Sequence, residues 1–127
     1  MSDRSAIEAR LQSLYSARVR GDLAGVCACF TDDAQLRFAG SSGQHPIAIS
    51  ASGQAELRHL LAIMVKSFQI AEFTTLSTLV DGSRAAVHWR ARIHSRITGT
   101  AVLTEFLDLF ELRGGLITNY TEFFAPR

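Results

Sequence analysis

Two carboxylates, Asp108 and Glu122, stand in stretches that should otherwise present apolar faces. Side chains alternate along a strand, so Val102, Thr104, Phe106, Asp108, Phe110 and Leu112 share one face, and Tyr120, Glu122 and Phe124 share a face of the next strand. An acid in such a stripe is costly unless it is paired, protonated or used. If the Gly114-Gly115 turn sets a register in which 108 opposes 122, the two Cβ atoms lie about 4.5–5.5 Å apart. Carboxyls that close in an apolar setting do not both ionise easily, so one pKa rises. The pair then offers a base beside a proton donor, which suits proton abstraction α to a carbonyl or an aldol-type closure. Trp89 and Tyr120, expected on the same face, add an aromatic wall and a hydroxyl.

Other roles are open to the pair. The acids can contact a ligand without chemistry, or bond to Tyr, Trp, Arg or backbone groups and only orient the sheet. Glu122→Gln is expected to leave folding intact and to weaken ligand binding or turnover.

The elements that must position these groups follow from periodicity. Ile7, Leu11, Leu14 and Tyr15 recur at helical spacing, which predicts an amphipathic helix over residues 4–20. Gly21 stops it and Asp22 caps a short second helix from Leu23 to Phe30. Ala34 to Phe38 reads as a short strand, and residues 39–53, rich in Gly and Ser, as a long loop that could form a lid. A third helix is expected from Gln54 to Ser67. Four long antiparallel strands follow, Ile70–Val80, Ser83–Ile97, Thr100–Arg113 and Leu116–Phe124, with Asp81-Gly82 a strong hairpin signal. Helices segregated from an antiparallel sheet define an α+β class. The expected architecture is a cone-shaped α+β barrel, with three N-terminal helices on a strongly curved antiparallel sheet and a cavity lined by its inward residues.

The totals exclude several classes. The chain has 127 residues, enough for one domain spanning 1–127, and a net charge of +1 that gives no bulk attraction to nucleic acid or an anionic membrane. No apolar run approaches a membrane span, and the polar first residues lack the apolar segment of a signal peptide, which points to the cytoplasm. Cys27 and Cys29, placed on a helix, point about 200° apart, which fits small core residues better than a disulfide or metal. His45, His59, His88 and His94 show no metal spacing, and no cofactor motif is present. His88, Arg90, Arg92, His94 and Arg96 make one strand face basic, but the neighbouring strand sets Glu105, Leu107, Leu109 and Glu111 on the same side. That mixture fits a homodimer interface better than a polyanion site.

The run Tyr15-Ser-Ala-Arg-Val-Arg-Gly-Asp22-Leu-Ala-Gly-Val-Cys-Ala-Cys-Phe30-Thr-Asp-Asp-Ala34 resembles the opening of the nuclear transport factor 2-like superfamily, in its SnoaL-like and ketosteroid isomerase-like branch. Val87-His-Trp89-Arg-Ala-Arg and the stretch Asp108 to Phe124 extend the resemblance over nearly the whole chain. The resemblance implies the cone fold, dimerisation through the outer sheet face, and one of several activities hosted by that fold. Ketosteroid isomerases use a Tyr on the first helix and a protonated Asp on a late strand as oxyanion hole, and a second Asp as base. Asp108 falls at the late-strand position, whereas the Tyr position holds Leu14, one residue before Tyr15, and the base position holds Phe38. Polyketide cyclases of this group carry a base on the last strand, and Gly115-Leu-Ile-Thr-Asn-Tyr120-Thr-Glu122 resembles that motif with Glu122 in the acid's place. The expected ligand is an apolar small molecule bearing a carbonyl or hydroxyl, contacted by Tyr15, Phe38, Trp89, Phe106, Phe110, Tyr120 and Phe124. A non-catalytic ligand-binding or dimerisation domain is the alternative.

Overall fold

A computed structural model describes residues 4–42 and 45–126. Helix α1 (Arg4–Arg20) and the five-residue α2 (Leu23–Cys27) are followed by β1 (Phe30–Ser42) and β2 (His45–Ser52). Helix α3 (Gly53–Ser67) then leads into β3 (Phe68–Asp81), β4 (Arg84–Ser95), β5 (Ala101–Arg113) and β6 (Leu116–Pro126). The strands form one six-stranded sheet in the order β2-β1-β6-β5-β4-β3. All pairings are antiparallel except β1 with β6, so the sheet is mixed, and it is open, with β2 and β3 at its edges. Three helices cover its concave side in the cone-shaped α+β arrangement.

The expected long loop over residues 39–53 is replaced by structure. Ala39–Ser42 extend β1, and His45–Ser52 return as β2 in register, Phe38 opposite Ile49 and Leu36 opposite Ala51. Residues 43–44 lie outside the described residues. Gly and Ser weaken strand propensity, but a ladder partner overrides that preference, and Pro46 is tolerated because β2 is an edge. Helix α2 also ends three residues earlier than expected. Phe30 belongs to β1 and pairs with Ile117, and the Thr31-Asp-Asp stretch is a register irregularity within the strand.

The interior lies between the helices and the sheet. Helix α1 buries Ile7, Leu11, Leu14, Tyr15 and Ala17, and α3 buries Leu57 and Leu61. The sheet contributes Leu36, Phe38, Val87, Trp89, Phe106, Phe110, Ile117 and Tyr120. Asp22 caps α2 as expected, accepting the Gly25 N–H at 3.0 Å. Gly114 and Gly115 take φ values of 60° and 79°, which a tight β5–β6 hairpin turn demands. The turn pairs Arg113 with Leu116, and a register shift between Glu111 and Leu112 then brings Asp108 opposite Glu122, flanked by Phe110 with Tyr120 and Phe106 with Phe124.

Candidate functional site

Asp108 and Glu122 are both fully enclosed, at 0% and 1% exposed. Asp108 Oδ2 gathers three groups: the Tyr15 hydroxyl, the Trp89 indole N–H at 2.7 Å and the Tyr120 hydroxyl at 2.8 Å. Its Oδ1 is buried with no hydrogen-bond partner among the described residues. Glu122 Oε2 contacts the Tyr120 hydroxyl at 2.6 Å and accepts from Arg18 Nη1 at 2.6 Å. Arg18 Nη1 also donates to the Tyr120 oxygen at 2.6 Å, and its guanidinium carbon sits 5.4 Å from the Trp89 ring centre, within cation–π range.

Tyr120 stands between the two carboxyls with one hydroxyl proton. It cannot donate to both. Both contacts are satisfied when Asp108 carries a proton and gives it to Tyr120, which in turn donates to Glu122. The electrostatics agree. Burial drives the Asp108 pKa well above the usual carboxylate range, the adjacent Glu122 adds to the rise, and Arg18 and the Tyr15 hydroxyl only partly oppose it. Burial likewise raises the Tyr15 and Tyr120 phenols. Burial works against the Arg18 charge, but Glu122 beside it more than compensates and holds the guanidinium protonated. One carboxyl therefore has a cation beside it, and burial pushes the other toward its neutral form.

The residues expected to contact a ligand converge on this cluster, and they fill it. Phe106 stacks on Trp89 with centroids 3.8 Å apart, and Phe110 on Tyr120 at 4.6 Å. Phe38 meets the Tyr120 ring edge-on at 6.3 Å, and Phe124 packs half-buried against the core. Among the described residues, two clefts at the surface reach toward the cluster. One, of about 520 Å³, lies between α1 and β3 and includes Tyr15; the other, of about 470 Å³, borders β3, β4, β5 and β6 and includes Phe110. Neither is bordered by Asp108 or Glu122.

Two relationships bear on the likeness to ketosteroid isomerases. Leu14 occupies the position expected for the helix Tyr, yet Tyr15 reaches Asp108 from the next position. Phe38 stands at the position expected for the base, and in the parallel β1–β6 pairing its direct neighbour is Glu122. The Glu122 carboxylate thus stands one strand away, about 4.8 Å across the sheet. Sequence reasoning missed Arg18 entirely. Its signal was available: Leu11, Leu14, Tyr15 and position 18 follow one helical stripe, so a charge there faces the core.

Among the described residues, no group of three or more His, Cys, Asp or Glu could hold a metal ion. His45 is placed only by its backbone in β2, so its expected reach over a cavity mouth falls outside the described side chains. No described helix is long and apolar enough to cross a membrane.

Three helices on a six-stranded mixed sheet in an α+β cone define the class of fold. The chain matches the SnoaL-like domain over residues 11–120, and it belongs to that family, within the nuclear transport factor 2-like superfamily. Among solved structures it is similar to a candidate isomerase from Bacillus subtilis, with a TM-score of 0.83, 16% identity, and coverage of 98% of this chain and 90% of that one. A candidate polyketide cyclase from Xanthomonas campestris pv. campestris gives a TM-score of 0.72 at 22% identity, covering 96% and 92%. An LEH-like epoxide hydrolase of M. tuberculosis gives 0.71 at 18% identity, covering 94% and 82%. At these identities the likeness establishes the fold. No curated protein sequence matches the chain.

Proposed function

We propose that this single SnoaL-like domain is an acid–base enzyme of the isomerase, cyclase or dehydratase kind. It acts, with no cofactor, on a small apolar molecule that carries a carbonyl or hydroxyl. Asp108 is the protonated donor and Glu122 the base. The observation that carries this reading is the single Tyr120 hydroxyl between two opposed carboxyls, only one of which is neutralised by Arg18. Such an arrangement separates two chemically similar groups into a proton-bearing and a proton-accepting partner. The recovery of Tyr15 against Asp108 and of Glu122 beside Phe38 supports it, as do the isomerase, cyclase and epoxide hydrolase names carried by proteins of the same fold.

Native mass spectrometry of protein purified from its host identifies the small molecule that travels with it. Conversion of that molecule by wild type and its loss in Asp108→Asn is the expected result. Binding without conversion by wild type sinks the enzymatic reading.

A second reading, a non-catalytic ligand-binding or dimerisation domain, is favoured by one observation: both acids are bonded to protein groups and border neither cleft. For assembly, we infer a homodimer through the outer sheet face. Leu107 lies opposite Phe123 there, and Leu109 is next to them, all 38–43% exposed. The basic residues of that face are partly matched by acids, His88 by Glu105 at 3.5 Å and Arg92 by Glu72 at 2.7 Å, which disfavours a polyanion.

A further inference from the structure

Strand β3 ends the sheet, with β4 on one side and no described strand on the other. Such an edge offers unpaired backbone N–H and C=O groups, and edges are ordinarily guarded by charge, proline or bulges. The opposite edge, β2, carries Pro46. From Phe73 to Val80 the β3 edge has no charged residue, no proline and no glycine. Bulges interrupt it between Ala71 and Thr74 and between Thr75 and Ser77, but past them Ser77–Asp81 run in unbroken register with β4. Leu76 and Leu79 on this stretch are 41% and 68% exposed.

A groove follows the same edge. The cleft of about 520 Å³ lies between α1 and β3, with Thr75 and Thr78 of β3 on its border and the buried Val87 of β4 at its floor. Helix α1 sets Leu11, Tyr15 and Val19 along it at four-residue spacing, so its wall is an apolar row. The charged residues of the lip, Glu8 and Arg20, are of opposite sign, and each is paired, with Arg4 at 2.8 Å and with Asp22 at 3.4 Å.

The open ladder and the groove call for one kind of occupant. Unpaired ladder groups are met by another extended backbone, and a groove beside them takes the side chains on one face of it. A small molecule would fill the cleft and leave the ladder open. A second copy docking by its own β3 would bring only the short Thr75 and Thr78 to the cleft side. We propose that the β3 edge and the α1–β3 cleft together bind an extended peptide segment of a partner protein. It adds as a strand beside Ser77–Asp81 and seats uncharged, apolar side chains in the cleft at alternate positions. The site uses the Tyr15 ring and neither carboxyl, so it is independent of the acid–base reading above.

The probe is the peptide acetyl-Lys-Leu-Thr-Leu-Thr-Leu-Lys-amide, which alternates apolar and polar side chains and carries charge only at its ends. Added to the full chain at about 1 mM, it should shift the backbone amides of Leu11, Gln12, Thr75 and Thr78 in NMR spectra. It should also slow hydrogen exchange at alternate amides within 77–81. Two N-methylated forms, one blocked at the leucine amides and one at the central threonine amides, separate ladder from groove. Only one set of amides faces β3. One form should therefore bind about ten-fold more weakly, the worth of one or two hydrogen bonds, and the other like the parent. Thr78→Lys, at an exposed position bordering the cleft, should weaken the parent peptide to a similar degree, whereas Ser50→Lys on β2 should not. No shifts along β3, equal affinity of the two N-methylated forms, or unchanged binding to Thr78→Lys overturns the proposal. So does a wild-type oligomer that Thr78→Lys dissociates in sedimentation, because a second copy then holds the edge.

Discussion

Arg18 on the first helix donates to Glu122 on the last strand at 2.6 Å, across 104 positions of sequence. The Arg18 side chain is 11% exposed and that of Glu122 2%, so little solvent screens the pair. Removing one partner of a buried pair strands the other charge, at a cost of about 3–5 kcal/mol. Glu122→Gln is therefore expected to be destabilising, unlike the neutral effect on folding read from sequence alone. Urea unfolding of Glu122→Gln, Arg18→Met and the double variant checks this. The double variant should lose less than the two single losses added.

Asp108 makes stability depend on pH. Its folded pKa is raised, so the native state holds a proton that the unfolded chain gives up near pH 4. The contribution is fully present below the unfolded value and is lost as pH rises through the folded one. The slope reaches about 1.4 kcal/mol per pH unit at most for one proton. Asp108→Asn keeps an acceptor oxygen and cannot ionise, so its melting temperature should fall less between pH 4 and alkaline pH than that of wild type. Parallel curves for the two proteins would show that Asp108 does not carry the dependence.

Tyr15 holds Asp108 down rather than up. Its hydroxyl donates to the carboxyl and opposes the rise caused by burial and Glu122. Tyr15→Phe should move the Asp108 titration to still higher pH, observable through the carboxyl carbon by NMR. A downward move would contradict the donor assignment.

Gly40 is a steric requirement. A Cβ there would lie 2.5 Å from the Phe124 carbonyl oxygen and 2.7 Å from its ring, where β1 runs beside β6. Gly40→Ala must push backbone rather than a flexible side chain, and a loss of about 1–3 kcal/mol is expected in thermal or urea unfolding.

The outer face gives a test of assembly. Phe123→Asp places a charge in the middle of the Leu107, Leu109 and Phe123 patch. Sedimentation should show a dimer for wild type and a monomer for this variant, with both folded. A monomeric wild type removes the proposed dimer.

Much of this was legible in the sequence because period and turn chemistry agree. Alternation across 102–112 and 120–124 marked the faces that carry Asp108 and Glu122, but their opposition also needs the register shift between Glu111 and Leu112, which the paired glycines do not announce. Helix α1 was read to its observed ends. The β1–β2 hairpin was not, because Gly, Ser and Pro argue for a loop and only the neighbouring ladder makes them a strand. Arg18 was missed because a single Arg near the end of a helix reads as a surface residue until its place on the Leu11–Leu14–Tyr15 stripe is weighed. The neighbourhood of Phe38 and Glu122 was out of reach for another reason. It depends on a parallel pairing between distant segments, which no local pattern announces.

That pairing also governs how the molecule must assemble. The last strand in sequence is third in the sheet, holding β1–β2 on one side to β5–β4–β3 on the other. Before β6 docks, the sheet is two separate pieces with open edges, and the acid pair does not exist. Closure is set by contacts of long sequence separation, which slow folding. Synthesis through β6 must precede it, and until then the unpaired edges of the two pieces can meet another chain.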